Sequence, residues 1–177
     1  MSAKINGLQF WEGQEVNRRE VLHVASAAMG MLVIGAAGAQ DARTPFSIHA
    51  RPMPKGEDLN TLLPAKVGSF VRDELPKGAK LASDEDLNIT YRAGSHTVSF
   101  GISKSDTVED AREAIKVTRD EAVASKVPMR DAKYSPKTDP AFFYAGDFIS
   151  WTRGTYFMYA KATSPQALGQ FMAAYPY

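Results

Sequence analysis

Between residues 87 and 103 apolar and polar positions alternate: Leu87, Ile89 and Tyr91 fall on one side, and Val98, Phe100 and Ile102 repeat the pattern after Gly94-Ser95. A period of two is that of a half-buried strand, and a glycine break between two such runs predicts a β-hairpin. The period then lengthens. Val108, Ala111, Ile115, Thr118 and Ala122 recur at steps of three and four, with Glu109, Arg112, Glu113, Lys116 and Asp120 between them. This predicts an amphipathic helix that starts at an Asp106 cap, with Glu109 three residues on, and ends before Pro128. Residues 128–135 predict a strand, and SPKTDP a loop. FFYA, FISW and TYFMYAKA predict three further strands, separated at Gly146-Asp147 and Arg153-Gly154. Ser164-Pro165 has the form of a helix start, cap residue followed by proline at the first helical position, and Leu168, Phe171, Met172 and Tyr175 form that helix's apolar stripe. Upstream, VGSFVRDEL at 67–75 predicts one strand, and Leu59 to Leu63 at most a helical turn.

Laid on itself with an offset of sixty, the chain shows a weak repeat. Ile89-Thr90-Tyr91 falls on Ile149-Ser150-Trp151, Gly94 on Gly154, Val98 on Met158 and Val108 on Leu168. Each half reads strand, glycine turn, strand, helix. Two such ββα units predict an α+β domain over residues 65–177, an antiparallel sheet with both helices on one face and Tyr91, Phe100 and Trp151 between the layers.

The first forty residues differ in kind. Residues 1–20 are polar and end in Asn17-Arg18-Arg19-Glu20, and Val21 to Gln40 is a run of twenty without Asp, Glu, Lys or Arg. A charged region, a modestly apolar stretch and the small residues Ala37 and Ala39 have the layout of an export leader. The stretch NRREVLH resembles a twin-arginine translocation signal, with Arg18, Arg19, Val21, Leu22 and His23 in the matching places. At about 1.5 Å per residue the run is also roughly 30 Å long, enough to remain as a transmembrane helix. Ser26 with Gly30, and Gly35 with Ala39, are small residues four apart that permit close helix contact, so Ser26, Gly30 and Gly35 are candidate partner contacts. Lys4, Arg18 and Arg19 place residues 1–20 in the cytoplasm and the domain outside the inner membrane. Residues 41–64, with four prolines between Thr44 and Pro64, read as a linker. Residues 17–39 are similar to the retained leaders of Rieske iron–sulfur subunits. The resemblance stops there, because the Cys/His cluster boxes of that family are missing.

Composition narrows the chemistry. A chain of 177 residues with 44% hydrophobic and 23% charged residues has material for one sizeable core. Twenty-one basic against twenty acidic residues leaves +1, no field for gripping nucleic acid. With no cysteine and only His23, His49 and His96, thiolate metal sites, a cysteine nucleophile and histidine clusters have no basis, and no cofactor or metal is expected. Hydrolase-elbow, P-loop and dinucleotide motifs are missing. Asp84-Glu85-Asp86 is simplest as a solvated loop. The polar residue that stands out is Arg153, on a turn between Trp151 and Tyr156, a composition found at interface hot spots and equally at a turn where the arginine stem covers a ring. Tyr175 and Tyr177 around Pro176 would dock on a partner or tie down the chain end.

Two functions fit this reading, and a third, an enzyme, requires carboxylates far apart in sequence to converge. One is a non-catalytic accessory subunit of a membrane complex, of the respiratory or photosynthetic electron-transport kind, held among integral-membrane subunits by its leader, with Trp151, Arg153, Tyr175 and Tyr177 as contact candidates. The other is a periplasmic binding protein released after Ala39, with Phe142, Phe143, Trp151, Phe157 and Tyr159 lining a pocket.

Overall fold

The computed structural model describes residues 46, 52–56, 58–81 and 86–177. After a single helical turn, α1 (Leu59–Leu62), come strands β1 (Lys66–Val67), β2 (Phe70–Arg72), β3 (Leu87–Ala93) and β4 (His96–Lys104) and the long helix α2 (Val108–Ala124). Then follow β5 (Lys133–Ser135), β6 (Phe142–Ala145), β7 (Phe148–Arg153), β8 (Tyr156–Ala162) and helix α3 (Pro165–Ala174). All eight strands form one antiparallel sheet in the order β1-β2-β3-β4-β8-β7-β6-β5.

Four hairpins turn on two residues, Gly68-Ser69, Gly94-Ser95, Gly146-Asp147 and Gly154-Thr155, and in each the glycine has φ between 58° and 60°. Positive φ at the first turn position alone is the type II′ pattern, whose twist matches that of the strands it joins. Gly68 therefore splits the strand expected over 67–75 into the hairpin β1–β2. The strand expected over 128–135 is confined to β5.

The expected hairpin and helix stripes are present. On α2, Ala111, Ala114, Ile115, Thr118 and Ala122 are buried. Its cap is Thr107 rather than Asp106: the Asp110 amide donates to Thr107 Oγ1 at 3.1 Å, and that hydroxyl donates to the Asp110 carboxylate at 2.7 Å. On α3, Ser164 accepts from the Ala167 amide, Pro165 opens the helix, and Leu168, Phe171 and Met172 are buried.

The repeat is real in the sheet and broken in the helices. Phe100 pairs with Ala160 at the central β4–β8 seam, and these residues are the same sixty positions apart as the two halves. Ile89 and Ile149, and Val98 and Met158, occupy one face. That places a pseudo-twofold axis normal to the sheet between Phe100 and Ala160. Such an axis would put both helices on the same face, as the sequence pattern predicts. They lie on opposite faces. α3 packs over β4 and β8 with Tyr91, Phe100, Trp151 and Met158, whereas α2 packs over β6, β7 and β8 on Phe143, Phe148, Phe157 and Tyr159. The reason is visible in the strands of the second half. Neighbours such as Phe142 and Phe143, or Phe157 and Met158, are all buried, and a strand that is apolar on successive positions needs cover on both sides.

The N-terminal half alternates instead. On its α2-side face, Asn88 and Arg92 are exposed and Thr90, Thr97 and Ser99 half-buried. Gly101 lies at the seam on this face. The Tyr159 ring folds over it so closely that a Cβ there would lie 2.2 Å from the ring, and the phenol donates to Asn88 Oδ1.

Candidate functional site

Described residues of the stretch expected to be a linker pack onto the domain. Leu62 and Leu63 are completely buried, so the fold begins before residue 65. Proline removes amide donors from this stretch but leaves carbonyls that accept. Three tyrosines of the sheet and the C-terminal segment donate to them: Tyr156 to Gly56 O at 3.3 Å, Tyr175 to Leu62 O at 2.8 Å and Tyr91 to Pro64 O at 3.1 Å. The Arg72 guanidinium donates to Leu63 O, and to Asn60 Oδ1 at 3.1 Å. Asp58 caps α1 by accepting from the Asn60 amide, and its bond from Thr61 Oγ1 holds its carboxyl below the usual range. The result is a strap across the α3 side of the sheet. Phe46 belongs to the same side, its ring edge-on to Tyr144 at 5.5 Å and against Gly169 of α3.

Where the strap passes the β7–β8 hairpin, a groove of about 600 Å³ opens to solvent. Met53 of the strap, Asp139 and Pro140 of the β5–β6 loop, and Arg153, Gly154, Thr155 and Tyr156 of the hairpin line it. The β7–β8 turn projects Arg153, half-buried, into one wall, while Tyr156 and Met53 supply apolar surface and Asp139 an opposing charge. A concave surface with one cation, one anion, a thioether and an aromatic suits a protein side chain or chain segment. No group of three metal-ligating residues occurs among the described residues.

The other partner-contact candidates divide. Trp151 is fully buried and Tyr175 is 1% exposed, so both are core residues and present no surface to a partner. Trp151, Phe100, Phe171 and Tyr175 pack as a cluster of rings with centroids 4.8 to 5.9 Å apart. Burial drives the Tyr175 hydroxyl far above its ordinary pKa, and Tyr159 likewise on the other face. Tyr177 is half-buried, with its ring edge-on to Tyr175 at 6.0 Å. It ties the chain end down. Ser26, Gly30 and Gly35 lie outside the described residues, as do Asp84 and Glu85. Sequence reasoning found Arg153 through its aromatic neighbours but missed Met53, Asp139 and Pro140, which come from other segments. The cue for the strap was the pair Leu62-Leu63, apolar residues without reason in a solvated linker.

Among the described residues no helix is long and apolar enough to cross a membrane. No protein-family model, curated protein or solved structure matches the chain.

Proposed function

We propose that this chain is a non-catalytic accessory subunit of a larger membrane complex, anchored through residues 21–40 with the domain on the outer, periplasmic face. An electron-transport complex is the setting implied by the likeness of residues 17–39 to Rieske leaders. The observation that carries the choice over the alternative is the fate of five aromatic residues. A released binding protein needs Phe142, Phe143, Trp151, Phe157 and Tyr159 around one pocket. Instead Phe142 and Trp151 sit in the α3-side core and Phe143, Phe157 and Tyr159 in the α2-side core, all filled by protein. The Arg153 groove on the surface is then the contact point for an integral-membrane partner in this reading.

The test is an intact mass of native protein extracted from membranes in mild detergent, with identification of what co-purifies. Full-length protein with stoichiometric membrane subunits is expected, and Arg153→Glu should lower their recovery at least threefold in protein that keeps the wild-type circular dichroism spectrum. A soluble species beginning near Gln40, alone, overturns the reading.

A further inference from the structure

The two helices differ in charge, the strap beside α3 adding exposed Lys55 and Asp58 to its side, and the chain's own length limits which side meets the bilayer. Helix α2 carries eight charged residues in seventeen, and α3 carries none in ten. The exposed positions of α3 include Gln166, Gln170, Ala173 and Ala174. Phe46 is held in the α3 layer by Tyr144 and Gly169, and the apolar leader ends at Gln40. Six steps of chain at about 3.3–3.6 Å each reach at most roughly 20 Å.

That reach excludes one orientation. A helix of about 10–12 Å diameter on each side of a sheet puts the outer surface of α2 roughly 25 Å from the α3 layer. The headgroup zone adds about 5–7 Å on each side of the hydrocarbon core. With α2 against the membrane, Phe46 would stand some 30 Å from the hydrocarbon boundary by the same dimensions, farther than the chain extends. The uncharged α3 can approach headgroups without stripping water from ions, whereas pressing α2 to the surface would desolvate charged side chains.

We infer that the domain lies with its α3 and strap side on the lipid surface in which its leader is embedded, and turns α2 to solvent. This rests on the anchored reading above. The Arg153 groove, whose wall includes Met53 of the strap, is then close to the membrane plane, within reach of the outer ends of integral-membrane helices.

The chain has no cysteine, so single labelling sites need no prior replacement. Full-length Q170C and K116C, each carrying an environment-sensitive fluorophore at an exposed helix position, are reconstituted into phosphatidylcholine vesicles that contain a headgroup nitroxide lipid. Flotation reports anchoring and quenching reports orientation. The expected result is co-flotation of both variants, with the label at position 170 quenched at least threefold more than that at 116. Co-flotation with equal or reversed quenching overturns the orientation and leaves the anchor standing; this is also the outcome if the α3 surface is reserved for a protein subunit. Failure to float overturns the anchored reading, and the orientation falls with it.

Discussion

The α3 side and the α2 side of the sheet solve the same packing problem with inverted materials. On the α3 side the helix brings the bulk: Leu168, Phe171 and Met172 descend onto Tyr91, Phe100 and Trp151, and the strap closes over the rest. On the α2 side the sheet brings the bulk, as Phe143, Phe148, Phe157 and Tyr159 rise to meet alanines, Ile115 and Thr118. Small residues let α2 come close to a tall aromatic floor, and Glu109, Asp110, Glu113, Lys116 and Asp120 are exposed to water while Arg112, Arg119 and Glu121 are half-buried. The outer surface of α3 has no charge to solvate. Core packing and outer surface are thus linked in each helix.

The comparison is broken most strongly at Phe171, which touches Phe70, Tyr91, Phe100 and Tyr175. Phe171→Ala is expected to cost about 4 kcal/mol, with a drop in unfolding temperature measured by tryptophan fluorescence. On the other side the largest single lesion is an addition. Gly101→Ala forces the Tyr159 ring off the seam and should cost about 2–3 kcal/mol, with loss of the Tyr159–Asn88 hydrogen bond visible in near-ultraviolet circular dichroism.

Tyr175→Phe keeps the ring and removes the donor to Leu62 O. Guanidinium unfolding at pH 7 should show a loss of about 1–2 kcal/mol and faster proteolysis within residues 52–64. Its pH dependence has a definite sign. The folded hydroxyl titrates well above the ordinary value of 10.0, so its contribution is complete below pH 10 and falls as rising pH ionises the unfolded chain first. The gap between wild type and Tyr175→Phe should therefore narrow above about pH 10. The smallest effect belongs to the exposed cap of α2: Thr107→Ala should cost about 1 kcal/mol, while the same change at Asp106 should cost less than half of that.

Much of the local structure was legible in the residues. The alternation over Leu87 to Ile102, the stripes of α2 and α3 and the Ser164-Pro165 start each depend on neighbours a few positions apart, and each is found where the pattern puts it. The capping error of one residue shows the same locality: Asp106 and Thr107 are both good caps, and Thr107 is the one with a carboxylate three residues on that its hydroxyl reaches. The site was less legible. Arg153 announces itself by its neighbours, but Asp139 and Met53 reach the groove from segments whose sequence carries no sign of it.

What the sequence by itself determined is the menu of elements, the glycine turns that join them, the repeat at sixty residues and the division between an uncharged run over residues 21–40 and a mixed, cysteine-free remainder. These follow from periodicity and backbone preference, which act over one or two turns of chain. Only the tertiary structure decided that β4 meets β8 through Phe100 and Ala160, that the helices take opposite faces, and that residues 58–64 pack on the sheet as a strap. Those choices rest on which buried surfaces fit one another and which carbonyls find donors, and such partners, like Leu62 and Tyr175, stand more than a hundred residues apart.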